Sequence, residues 1–196
     1  MSAQGRAGGR DQPAPLETGR FGMWLLVAAL SMLFAGSLVA YVLIRSRAPV
    51  WPPAGIPRLP DTLWISTLIL LASSVTMQAA VRAARAGRAA ALRADMLITT
   101  LLGVAFLASQ TFNWFALVAS HLTAKTDLYG FTFYILTGLH AAHVVGGLVP
   151  LAVVTSRAFG GRYSREFHPG VEYCAIYWHF LDVVWVVMFA ILMFPA

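Results

Sequence analysis

Cysteine and charge are both scarce in this chain. A single cysteine, Cys174, excludes an internal disulfide and any cluster site built on thiolates, and its apolar surroundings suit a buried thiol. Charged residues make up 11% of the 196 positions, against about 25% in soluble domains. With 59% hydrophobic residues, the composition excludes an ordinary soluble domain and implies an integral membrane protein. No Ser-His-Asp order, P-loop or GxGxxG is present, and no internal repeat or soluble domain is evident. The net charge of +6 could suit a nucleic acid, but in a membrane chain it reports topology and contact with anionic headgroups. No nucleic-acid partner is expected.

What is abundant is long apolar sequence. Met1–Arg20 is rich in Gly, Pro and Arg and reads as a short disordered tail (1–20). It does not read as a convincing signal peptide, because the run after it far exceeds the 7–15 residues of an h-region. Five runs follow, Phe21–Ile44, Leu63–Val81, Met96–Leu122, Leu128–Thr155 and Tyr173–Phe194. Each reaches or approaches the ~20 residues a spanning helix needs. The predicted fold over 21–196 is therefore an all-α integral membrane bundle of five transmembrane helices. Three runs open just after an aspartate, Asp61, Asp95 and Asp127, and a carboxylate there can accept from the free amides of a first turn.

The basic residues set an orientation. Arg6, Arg10, Arg20, Arg82, Arg85, Arg88, Arg93, Arg157, Arg162 and Arg165 fall on one side; Arg45, Arg47, Arg58 and Lys125 fall on the other. Ten against four predicts a cytoplasmic amino terminus and an external carboxyl terminus. The outer connection Trp51–Pro60 holds four prolines and should be extended and rigid, with Trp51 at the interface, as a connector or a docking surface.

Polar residues interrupt the runs. His140 and His143 stand at i, i+3 in the fourth, and His179 and Asp182 repeat that spacing in the fifth, with Glu172 about two turns earlier. An ionisable group in a span costs roughly 2.5–3.5 kcal/mol on insertion scales, so these five residues should face protein, water or a partner. We expect them to form one network joining the fourth and fifth helices. A proton or ion path and a metal site remain as alternatives, although the Glu-x-x-His pattern of carboxylate di-metal sites is missing. Gly138, Gly146 and Gly147 favour a close helix approach there. In the third run Gln110 and Asn113 should hydrogen-bond between helices, and Ser73, Ser74 and Thr76 supply small polar packing in the second. The first run has no ionisable residue, and its Ala35-Gly36-Ser37 offers small residues for contact.

These residues resemble one family: subunit III of the haem–copper terminal oxidases, whether cytochrome c or quinol oxidases. Tyr177-Trp-His-Phe-Leu-Asp-Val-Val-Trp185 looks like its most recognisable signature, and Thr137-Gly-Leu-His-Ala-Ala-His-Val144 like its other one. Gly22-Met-Trp-Leu, Trp51-Pro-Pro-Ala-Gly and Leu68–Thr76 also fit, in order, and the similarity runs from about Arg20 to the end. The resemblance implies the short, five-helix bacterial form, in the bacterial inner membrane. It implies a non-redox accessory subunit that carries no haem or copper and has no catalytic residue of its own. Haem and copper would sit in partner subunits. Subunit I would be the main partner, with subunit II and possible small subunits, in a complex that reduces dioxygen to water. It also implies support for sustained proton uptake, and phospholipid held in a cleft, with Arg157 where the family binds a lipid phosphate. Leu30 stands where the family often has glutamate, and Asn113 departs in the same way. Two other readings stand beside this one: the small membrane subunit associated with nitric oxide reductase, and a free-standing ion or metal transporter using His140, His143, His179 and Asp182.

Overall fold

The structure, a computed structural model, describes residues 15–53, 55–56, 59–125 and 127–193. Five helices account for nearly all of them: α1 (Pro15–Arg47), α2 (Thr62–Arg85), α3 (Ala89–Ala119), α4 (Leu128–Phe159) and α5 (Pro169–Met193). There is no strand among the described residues, as expected where backbone groups must be satisfied within each segment. All five are long and apolar enough to cross a membrane. Even the 24 residues of α2 reach about 36 Å at 1.5 Å per residue, enough for a ~30 Å hydrocarbon core.

Most helices outrun the apolar stretches that announce them. Hydrophobicity stops where hydrocarbon stops, whereas backbone hydrogen bonding continues into the headgroup region. α1 thus begins inside the expected tail, and residues 1–14 of that tail lie outside the described residues. α3 ends earlier than its apolar run. His121 takes a left-handed conformation (φ 64°), and the Leu122 amide donates to Leu117 O while the His121 amide donates to Val118 O. This is the Schellman ending. α2 and α4 close the same way with Gly87 and Gly161 at the left-handed position, where glycine meets no Cβ penalty.

Of the three expected aspartate caps, one forms. The Asp127 carboxylate accepts from the Gly130 amide at 2.7 Å. Asp61 occupies the cap position of α2 without a side-chain bond, and Asp95 lies inside α3, because that helix starts at Ala89.

The helices α2, α3, α4 and α5 form a four-membered ring, with α2 against α3 and α5, and α4 against α3 and α5. α1 leans on the outside of α4 and α5. The core of the ring is aromatic: Trp178, Trp185, Phe106 and Phe133 are all nearly inaccessible. Two glycines allow that density. A Cβ on Gly103 would lie 2.7 Å from the Trp178 ring, and one on Gly147 would lie 2.7 Å from Tyr177. Both are closer than side-chain packing permits. Gly138 and Gly36 meet no such neighbour.

Candidate functional site

The fifth helix carries most of the polar chemistry, and it spends that chemistry on α2. Trp185 Nε1 donates to Thr67 Oγ1 at 3.0 Å. About two turns further along the pair, Trp178 Nε1 donates to Ser73 Oγ at 2.9 Å, and His179 Nδ1 lies 2.8 Å from Ser74 Oγ. His179 Nε2 is 3.3 Å from Gln78 Oε1. At the end of the seam the Arg85 guanidinium donates to Glu172 Oε1 at 2.9 Å. Numbers fall on α5 as they rise on α2, so an antiparallel helix pair is stitched over its length.

α3 adds to this from the other side. Gln110 Nε2 donates to Ser66 Oγ at 3.0 Å, and the Thr62 hydroxyl donates to the Asn113 side-chain oxygen. Thr76 and Thr99 share a hydroxyl contact of 2.8 Å. Interhelical bonds of this kind contribute about 0.6 kcal/mol each on average. Their value lies in number and in fixing the angular position of each helix.

The single network expected across the fourth and fifth helices does not form. His140 is fully buried, ringed by Phe34, Phe106 and Trp185 at centroid distances of 6.3, 5.9 and 5.2 Å, and neither ring nitrogen has a hydrogen-bond partner among the described residues. His143 turns back on its own helix, with Nδ1 2.7 Å from Leu139 O. Across from it, Tyr177 Oη donates to the His143 carbonyl at 3.1 Å. Glu172 pairs with Arg85 and has His168 Nε2 at 3.6 Å. His179 lies 3.5 Å from Asp182, and the two face α2. The i, i+3 spacing puts each pair on one side of its helix, but those sides meet different neighbours. Among the described residues no group of three His, Cys, Asp or Glu side chains is arranged to hold a metal ion.

On the opposite side α1 stands away from the ring and leaves a cleft of about 620 Å³. Met23, Leu26 and Leu30 of α1 form one wall; His143, Gly146 and Pro150 of α4 and Tyr173, Cys174 and Tyr177 of α5 form the other. Leu30, the position with no carboxylate, faces the same space as His143. Arg157 lines one end of the cleft and also borders a second groove with Ser156 and Arg162. Tyr163 lies close by, its phenol raised above the ordinary range by burial and drawn back by Arg157. An apolar slot with a guanidinium at its mouth suits a molecule with a hydrocarbon body and an anionic head.

The proline-rich loop is not merely a connector over the surface. Trp51 Nε1 donates to Tyr41 Oη at 3.1 Å, and its ring meets Tyr129 edge-on at 5.2 Å. It ties the C-terminal end of α1 to α4. Sequence reasoning missed this tie, and it missed Gln78, Trp178 and Trp185 as hydrogen-bonding partners. Their signal was an amide in an apolar window and two indoles one helical face apart.

The fold and these contacts define a class: a multi-pass helical membrane protein whose polar side chains clamp helices together beside an apolar cleft. The class narrows to a family. A family model described as cytochrome c oxidase subunit III matches residues 1–195. The chain is 40% identical over 171 residues to cytochrome c oxidase subunit 3 of Synechocystis sp., covering 86% of this chain and 72% of that one. It is 31% identical over 197 residues to the Corynebacterium diphtheriae protein of the same name, covering 99% and 95%. Against the Loxodonta africana protein of that name it is 33% identical over 194 residues, covering 95% and 73%. The chain belongs to the cytochrome c oxidase subunit III family, the accessory subunits of haem–copper oxidases. Neither a nitric oxide reductase-associated subunit nor a free-standing transporter gains support from these likenesses.

Proposed function

We propose that this chain is the non-redox subunit III of a bacterial haem–copper terminal oxidase. In this reading it sits in the inner membrane with its amino terminus in the cytoplasm. It packs against subunit I, with subunit II in the same complex, and those partners hold the haem and copper that reduce dioxygen to water. Its own work is structural: it retains phospholipid at the flank of the complex and sustains proton uptake there. The ten-to-four distribution of basic residues supports the orientation.

The observation that carries the reading is the α1/α4/α5 cleft, apolar along its length and ending at Arg157. Acyl chain would fill the slot while the phosphate takes bidentate bonds from the guanidinium. The polar residues of α5 act as helix clamps in this account. A proton path or metal site has less support, because their hydrogen bonds are spent on Ser73, Ser74, Thr67 and Arg85 of α2.

The test is native mass spectrometry of the purified complex carrying Arg157→Gln. Retained phospholipid should fall by at least one molecule per complex, with faster loss of activity during turnover and unchanged topology by reporter fusion. Unaltered lipid content and unaltered turnover lifetime would reduce Arg157 to a topology signal.

A further inference from the structure

The cleft between α1, α4 and α5 is apolar along most of its length, but the end away from Arg157 is not. His143 lines it there. Its Nδ1 lies 2.7 Å from Leu139 O. A carbonyl can only accept, which assigns the hydrogen to Nδ1. In the uncharged ring Nε2 is then a bare acceptor, on the edge turned away from the helix backbone. One turn on stands Gly146, also in the wall. Pro150 lies inside α4 and has no N–H, so the Gly146 carbonyl four residues earlier loses its helical partner. Tyr177 brings a third oxygen. Its Oη is 3.9 Å from the place of a Gly146 Cβ, and its hydrogen is already given to the His143 carbonyl.

This end of the cleft therefore gathers acceptors, while the hydrogens beside them are spent elsewhere. The facing wall cannot supply a donor, because Met23, Leu26 and Leu30 of α1 are apolar. Beyond His143 stands the Phe34 ring, at a centroid distance of 5.1 Å. Trp178 also borders the space, but its indole N–H is held by Ser73. An acceptor left open to hydrocarbon is costly, so the site calls for a donor from outside the chain. Arg157 is too far to serve: it lies eleven residues past Gly146 on the same helix, about 16 Å along the axis. An acyl chain running that far from a phosphate at Arg157 brings only methylene groups.

We infer that the end of the cleft at His143 and Gly146 is a hydroxyl subsite: it binds an apolar alcohol, which donates its O–H to this acceptor pair and lays its hydrocarbon against Leu26, Leu30 and Pro150. This deepens the reading of the cleft as a lipid site and rests on it. The walls favour an alcohol over ordered water. Water has hydrogens for the acceptors, but it gains nothing from the apolar lining of a cleft of about 620 Å³. An alcohol meets both demands. An ammonium group would bring a charge to a depth where the lining offers no carboxylate.

Photolabelling of the intact complex in phospholipid nanodiscs tests this. The probes are dodecanol carrying a diazirine in its chain and the methyl ether of the same molecule, which lacks the O–H donor. The alcohol should label the walls of the cleft at concentrations about threefold to tenfold lower than the ether. His143→Phe and Pro150→Ala should each reduce that preference, the second by returning an N–H to the Gly146 carbonyl, with labelling by the ether unchanged. Equal labelling by alcohol and ether in the unmodified complex would overturn the inference and leave the cleft an apolar slot. So would a preference that survives both substitutions, or one that maps outside the cleft. Phospholipid retained after detergent extraction is counted in parallel. If it is retained and falls on Arg157→Gln while the alcohol shows no preference, this inference fails alone. If the unmodified complex retains none, the lipid reading fails and this inference fails with it.

Discussion

Helices α1 and α5 are both apolar enough to cross a bilayer, yet they are held in opposite ways. In α1 only Phe34 and Tyr41 are buried among the described residues. Its serines bond to their own backbone, and a polar tie to its neighbours runs indirectly, through Trp51. α5 has Trp178, Asp182, Trp185 and eight other residues buried, and it is hydrogen-bonded to α2 from Thr67 to Arg85. Lipid tails are as apolar as leucine, so apolar contact alone gives a helix little reason to prefer protein to bilayer. The difference between the two helices is the difference between a clamped element and a leaning one. The loose helix is the one that borders the cleft, and a loose wall can adapt to what fills it.

The sharpest way to break this comparison is to remove one anchor from each side. Trp178→Ala deletes a buried indole, its bond to Ser73 and its contact with Gly103, and should cost about 3–5 kcal/mol in reversible unfolding in mixed micelles. Phe34→Ala also deletes a buried ring, but the space lies beside a helix that can shift, and the cost of a cavity depends on how well its site collapses. We expect about 2 kcal/mol or less, together with increased protease access at the C-terminal end of α1. Equal losses in the two variants would mean that α1 is clamped as firmly as α5.

Much of this architecture was legible in the sequence, and the reasons are physical. A span must be about 20 residues of continuous apolar chain, so five helices could be counted directly. The i, i+3 spacing placed His140 with His143, and His179 with Asp182, on common faces. What periodicity does not carry is the identity of the neighbour. The fourth helix, with its two histidines, looked like the partner of the fifth, but Ser73, Ser74 and Gln78 on α2 take that role. Short hydroxyls in a span can bond to their own backbone, as Ser73 and Thr67 also do, so their sequence signal as partners is faint. Gly103 is fainter still: a lone glycine says that something approaches, not that it is Trp178. The Gln110 and Asn113 contacts with Ser66 and Thr62 were legible as interhelical bonds, though not as bonds to α2. The cleft entered only through the family resemblance and not through any residue spacing, because it is made by how α1 leans.

The central claim is that the polar face of α5 belongs to α2 and not to α4. A double-mutant cycle measures it most directly, with unfolding free energies for Ser74→Ala, His179→Phe and the pair, set against His143→Phe, His179→Phe and their pair. The account predicts a coupling of about 0.6 kcal/mol between Ser74 and His179, and no coupling beyond error between His143 and His179. A coupling confined to the two histidines would contradict it.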